Sequence, residues 1–252
     1  MKALVSVIVA VFLTTTAGSA VGLEQKDIDI KTADGITLRA TYYWPVPDKL
    51  GPAILLLHQC PPAPGNRLAW NELATDLAGA GIHVLAVDFR GHGGSGGDRS
   101  TSQAARLATL KEKGPDDVDT MYSYLLSQKF INKNLIAIGG TGCSAGLAAD
   151  AAARHQEIKA LVMLSGAASE PARGYISQTP GLAVFAVMGE EDDSRQAAAI
   201  KQTIAASKNA QSTIKTFVGP GNGVLLFPLW PDLVPSIGTW IKAQLSSSTA
   251  TK

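Results

Sequence analysis

Gly142-Cys143-Ser144-Ala145-Gly146 sets a hydroxyl between glycines two residues away on either side. That spacing suits a serine on a sharp strand-to-helix turn, where only small neighbours let the backbone fold back and the hydroxyl stands ready to attack a carbonyl. Such a serine needs a base for its proton, ordinarily histidine, and an acid to orient that base. The chain offers His58, His83, His92 and His155, and nothing after His155. Cysteine is a second nucleophile type. Only Cys60 and Cys143 are present, too few for a disulfide framework or a Cys-rich zinc site. No His, Cys, Asp or Glu grouping has metal-ligand spacing, so no metal is expected. The glycines after Ile138 fit a dinucleotide turn only loosely, because Ile158 to Ser165 brings no acid to a strand end. Gly93-Gly94-Ser95-Gly96-Gly97 lacks the Lys-Ser/Thr ending of a phosphate loop. No cofactor is expected.

These residues need a frame, and the hydrophobic pattern supplies one. Ile28 to Tyr43 reads as a hairpin turning at Asp34-Gly35. Ala53–Leu57, Val84–Val87, Leu135–Ile138, Ala160–Leu164 and Leu182–Val187 are apolar runs suited to buried parallel strands, and Thr213–Val218 reads as another. Trp70, Leu73, Ala74, Leu77 and Ala78 recur at helical spacing. A second helix is expected to start at Pro115-Asp116-Asp117, since proline and acids suit a first turn. A third follows the glycine-rich turn and reaches about His155, and the last carries Leu233, Ile237, Trp240 and Ile241 on one stripe. Alternating strands and helices predict an α/β fold, a mostly parallel sheet covered on both faces, with sites at the carboxyl ends of its strands.

Composition agrees. The chain has 252 residues, 46% hydrophobic and 17% charged, enough for a sizeable core without staples. A net charge of +1 advertises no nucleic-acid partner. Lys2, the apolar run Ala3–Leu13 and Ala17-Gly18-Ser19-Ala20 read as a signal peptide over 1–20, cut after Ala20. Residues 21–252 are then expected to form one exported domain, secreted or periplasmic, with no membrane span after cleavage.

Leu56-Leu57-His58, Val87-Asp88-Phe89-Arg90-Gly91-His92-Gly93, the Gly142 to Gly146 turn, Gly189-Glu190-Glu191-Asp192 and Gly219-Pro220-Gly221-Asn222-Gly223, in this order, resemble the α/β-hydrolase superfamily, nearest its esterase and dienelactone-hydrolase-like members. The resemblance implies acyl transfer by a serine, an acid and a histidine in that chain order. It puts Asp192 at the acid and Asn222 at the histidine, where an amide cannot take up a proton. At the turn, two registers stay open. A gap-free match puts Gly142 at the nucleophile, flanked by Gly140 and Ser144; the other puts Ser144 there, flanked by Gly142 and Gly146. Cys143 between Thr141 and Ala145 is a third alternative. His58 and His92, at strand ends, are the alternative bases. The resemblance also implies an oxyanion site built from the amide of Cys143 and the loop at Gln59 and Cys60, which would bring the cysteines within reach of a Cys60–Cys143 disulfide. Two functions follow as expectations: a superfamily member without its triad that binds a small molecule or a protein partner, or an ester or lactone hydrolase using Ser144 with an unusual base.

Overall fold

The computed structural model describes residues 22–60, 65–99, 102–190, 192, 194–219 and 221–246. The expected signal peptide, Glu191 and Pro220 lie outside the described residues. Eight strands form one sheet: β1 (Gly22–Lys31), β2 (Thr37–Val46), β3 (Gly51–Leu57), β4 (His83–Val87), β5 (Ile131–Thr141), β6 (Ile158–Leu164), β7 (Ala183–Gly189) and β8 (Thr213–Phe217). Their order is β1-β2-β4-β3-β5-β6-β7-β8. The β1–β2 hairpin is antiparallel and joins β4 antiparallel; β4, β3 and β5 to β8 run parallel.

Among the described residues six α-helices cover the sheet: α1 (Asn71–Gly79), α2 (Gln103–Ser127), α3 (Cys143–Arg154), α4 (Glu170–Gln178), α5 (Ser194–Ala206) and α6 (Leu233–Leu245). Strand period decides which helix each side chain meets. Leu55 and Leu57 of β3 share a core with Val118, Met121 and Leu125 of α2 and Ala145, Ala148 and Ala149 of α3. Ile54 and Leu56, between them, share the other core with Leu73 and Leu77 of α1 and Ile237 and Ile241 of α6. The central strands are apolar on both faces because both faces are covered.

The second helix differs from its expected start. It begins at Gln103, capped by Ser102, and passes through Pro115. Proline removes one helical donor and crowds the preceding turn. Packing of Val118, Met121 and Leu125, all fully buried, holds the helix past that defect. Its first half leaves Ala104, Ala105, Leu107 and Ala108 exposed beside Gln103, Lys111 and Glu112 and buries only Leu110 before Gly114, so no one-faced apolar period marked it.

Two buried arginine–carboxylate pairs organise the strand ends. Asp88, after β4, accepts from the Arg67 amide at 2.6 Å, the Arg67 guanidinium at 2.7 Å and the Gly94 amide at 2.8 Å. Arg90 pairs with Asp117 of α2 at 2.6 Å and with Asp34 of the hairpin turn at 2.7 Å. A charge buried without its partner is costly. Asp117→Ala should therefore lower stability by about 3–5 kcal/mol, read as a shift in the urea midpoint with an unchanged slope; a loss within the scatter of surface variants would contradict this role.

Candidate functional site

The turn between β5 and α3 is tight. Gly142 adopts φ 56° and ψ −120°, a conformation that side chains rarely tolerate. Gly140, two residues earlier, lies under the start of α3, where an added Cβ would run into the backbone of Ser144 and Ala145. Gly146 is freer, with only the Ala167 carbonyl at 3.4 Å from such a Cβ. The turn thus has Gly142 at its apex and demands smallness at Gly140. Ser144 points the other way. Its hydroxyl is fully buried, donating to the carbonyls of Leu57 at 2.8 Å and Thr141 at 3.0 Å while accepting from the Thr141 amide at 3.0 Å. It stitches β3 to the turn and is not among the residues that line the depression described below.

Gln59, after β3, lies over the apex. A Cβ on Gly142 would sit 2.9 Å from Gln59 Cγ. The Gln59 amide nitrogen donates to Asn222 Oδ1 at 3.1 Å, and its oxygen accepts from Thr141 Oγ1 at 3.3 Å. Gly223, next to Asn222, and Asp192 connect through Ser165, which follows β6. Ser165 accepts from the Gly223 amide at 2.8 Å and hydrogen-bonds Asp192. Asp192 also accepts from the Gly189 amide at 3.0 Å. Burial raises the Asp192 pKa, partly offset by the Gly189 amide and the Ser165 hydroxyl.

Cys60 and Cys143 are joined in a disulfide, with Cα atoms 5.8 Å apart and a sequence separation of 83. Both are half-buried. Together with Gln59, Gly142, Ser165, Gln196 and Asn222 they line an open depression of about 480 Å³ at the carboxyl end of the sheet. Among the described residues every polar side chain in its lining is neutral. Among the described residues no cluster of three His, Cys, Asp or Glu could hold a metal, and no helix is long and apolar enough to cross a membrane.

Residues 68–189 match the family model described as serine aminopeptidase, S33. That segment includes the turn and ends before Asp192 and Asn222. The fold is also that of the Pyrococcus furiosus esterase Pf2001 (TM-score 0.65, 18% identity, covering 89% of this chain and 92% of that one). It is likewise that of P91, a dienelactone hydrolase-like promiscuous phosphotriesterase from metagenomic libraries (TM-score 0.69, 14% identity, 89% and 99% covered). The chain has the α/β-hydrolase fold. An uncharacterised protein of Mycobacterium tuberculosis is 35% identical over 97 residues, 37% of this chain and 34% of the relative. The chain therefore spans about a third of the length of the curated relatives it matches.

Within this fold, His58 is hydrogen-bonded through both ring nitrogens, whereas the buried His92 Nε2 has no partner among the described residues. His58 is buried, donating from Nδ1 to the Gln59 carbonyl at 2.7 Å and accepting from the Phe89 amide at Nε2, 3.1 Å away. Burial above all, and then the nearby His92, lowers its pKa to about 4. His92 is buried too, and its Nδ1 donates to the Arg90 carbonyl at 2.9 Å. Neither lines the depression. Ser165 and Gln196 line it without having been singled out in the sequence. Ser165 follows a buried strand, so the rule that sites lie at strand carboxyl ends could have found it. Gln196, which donates to the Ser165 carbonyl, left no such signal.

The disulfide closes a long loop, and in the chain-entropy account such a bridge contributes ~4 kcal/mol. Cys143→Ser should lower the melting temperature clearly, and wild-type protein denatured without reductant should expose no reactive thiol; two titratable thiols would contradict the bridge. His58 binds its proton less readily folded than unfolded, so its contribution is complete above about pH 6.5 and is lost as pH falls towards 4. Stability measured between those values should fall with acidification, and His58→Gln should flatten the slope; an unchanged slope would refute the assignment.

Proposed function

We propose that this is an exported α/β-hydrolase-fold protein that lacks serine-triad catalysis and uses the depression beside Gly142 to bind a small molecule or a segment of a partner protein. The observation that carries this reading is Gly142 itself. It occupies the apex of the strand-to-helix turn, the point from which a nucleophile acts in this superfamily, and has no side chain to attack with. Three further features support it. Asn222, in the turn that resembles the superfamily's histidine turn, is an amide already hydrogen-bonded to Gln59. A Cβ at position 142 would lie 2.9 Å from Gln59 Cγ, so a side chain there would have to displace Gln59. The Cys60–Cys143 bridge lies in the loop and helix start that would supply an oxyanion site, beside the space for a substrate carbonyl.

Export is supported by Lys2, the apolar run from Ala3 to Leu13 and the small residues before Val21. A disulfide also fits an oxidising compartment.

The test is covalent labelling of the mature protein with a fluorophosphonate, read by intact mass and peptide mapping. The expected mass begins at Val21 and carries no label, while a control serine hydrolase in the same tube is modified. Stoichiometric label on Ser144 would overturn the reading and make the chain an active hydrolase with an unusual base.

A further inference from the structure

A second cleft, of about 360 Å³, lies where the β1–β2 hairpin meets the carboxyl end of α2. It shares no residue with the depression beside Gly142. One wall is a column of three rings. Trp44 and Tyr42, two residues apart on β2, project from the same face and lie 5.6 Å apart, centroid to centroid, at 20°. His83, at the start of the neighbouring β4, continues the column 6.0 Å from Tyr42 at 15°. Two hydrogen bonds fix it. The Tyr42 hydroxyl donates to His83 Nδ1 at 2.8 Å, and His83 Nε2 donates to the Lys49 carbonyl at 3.1 Å. The Tyr42 hydroxyl is thus spent inside the protein; the stacking turns the inner ring faces towards one another, so the column has ring edges and the outer face of the terminal Trp44 left to offer.

The rim is polar. Lys26 stands directly across the hairpin from Tyr42. Asp48 and Lys129 complete it, with Lys129 Nζ 5.0 Å from the centre of the Phe130 ring. Among the described residues none of these three charged side chains has an ion-pair partner. Gln128 adds an amide, held by donation to the Tyr124 carbonyl at 3.0 Å. Burial lowers the His83 pKa, keeping the ring uncharged at neutral pH. Among the residues that line the cleft two lysines stand against one aspartate, with Glu24 outside the lining but across the hairpin from Trp44.

Rigid ring surface flanked by several hydrogen-bonding groups complements a molecule with apolar faces and a polar perimeter. A pyranose has that form: its C–H faces lie on aromatic rings and its hydroxyls point outward. A flat aromatic acid would satisfy the rings and one lysine but leave the other rim groups unused. The excess of lysine among the lining residues favours a sugar bearing a carboxylate. We propose that the cleft between the β1–β2 hairpin and α2 is a saccharide-binding site that prefers acidic pyranoses. This rests on the ring column and the unpaired rim charges, independently of the reading given to Gly142.

The experiment is titration of the full mature chain with trigalacturonate and with maltotriose at low ionic strength, followed by tryptophan fluorescence and calorimetry. Saturable binding is expected, tighter for trigalacturonate. Trp44→Ala should weaken it by about tenfold, the upper range for one aromatic contact. Lys26→Ala and Lys129→Ala, exposed positions where folding is not at stake, should each narrow the gap between the two sugars. No saturable response to either sugar at millimolar concentration would overturn the proposal. So would equal affinity for the two, or binding of trigalacturonate undiminished in both lysine variants.

Discussion

The carboxyl end of the sheet depends on the close approach of α3 to β5 at Gly140. Because the chain reverses from strand to helix across Gly142, the first turn of α3 presses directly on Gly140, where no Cβ fits. Three arrangements follow from that contact. Ser144 is turned inward, onto the Leu57 carbonyl. Cys143 is carried to the loop after β3, within bonding distance of Cys60. Gly142 is left at the apex beneath Gln59. A larger residue at position 140 would push α3 away and undo all three together.

Around that turn the polar groups satisfy one another. Gln59 links Thr141 to Asn222, and Ser165 links Gly223 to Asp192. Each bond joins loops that follow different strands, so the loops are fastened across the top of the sheet as well as from below. In an active member of the superfamily, comparable positions would have to leave a proton mobile between a hydroxyl, an imidazole and a carboxylate. Here amides hold fixed donor and acceptor roles. Such an arrangement suits holding a ligand better than passing a proton, which is why the proposed function is one of binding.

Most of the fold was legible in the sequence because its strands are buried on both faces and read as unbroken aliphatic runs. Leu55 and Leu56 go to opposite cores, yet both had to be apolar. Pro115 misled because proline at a helix start and proline inside a helix look alike locally; only the tertiary packing of Val118 and Met121 separates them. The turn was legible as a turn, but its register was not. The string around Ser144 satisfies the same spacing rule as the one around Gly142, and the choice rests on backbone contacts at Gly140 that spacing does not encode. Gln59 stood out only through the resemblance, and its bonds to Asn222 and Thr141 span 163 and 82 residues. The Trp44, Tyr42 and His83 column was hidden for a similar reason, since it joins two strands that are adjacent only in space.

Among the described residues the depression is lined by amides, a hydroxyl, glycine backbone and a disulfide, and the titratable Asp192 reaches it only through Ser165. A ligand held there meets partners whose charge does not change with acidity and whose hold is not weakened by screening ions. Its grip would stay even across surroundings that vary in pH and salinity, for as long as the fold itself endures, a constancy that a site built on a mobile proton does not have.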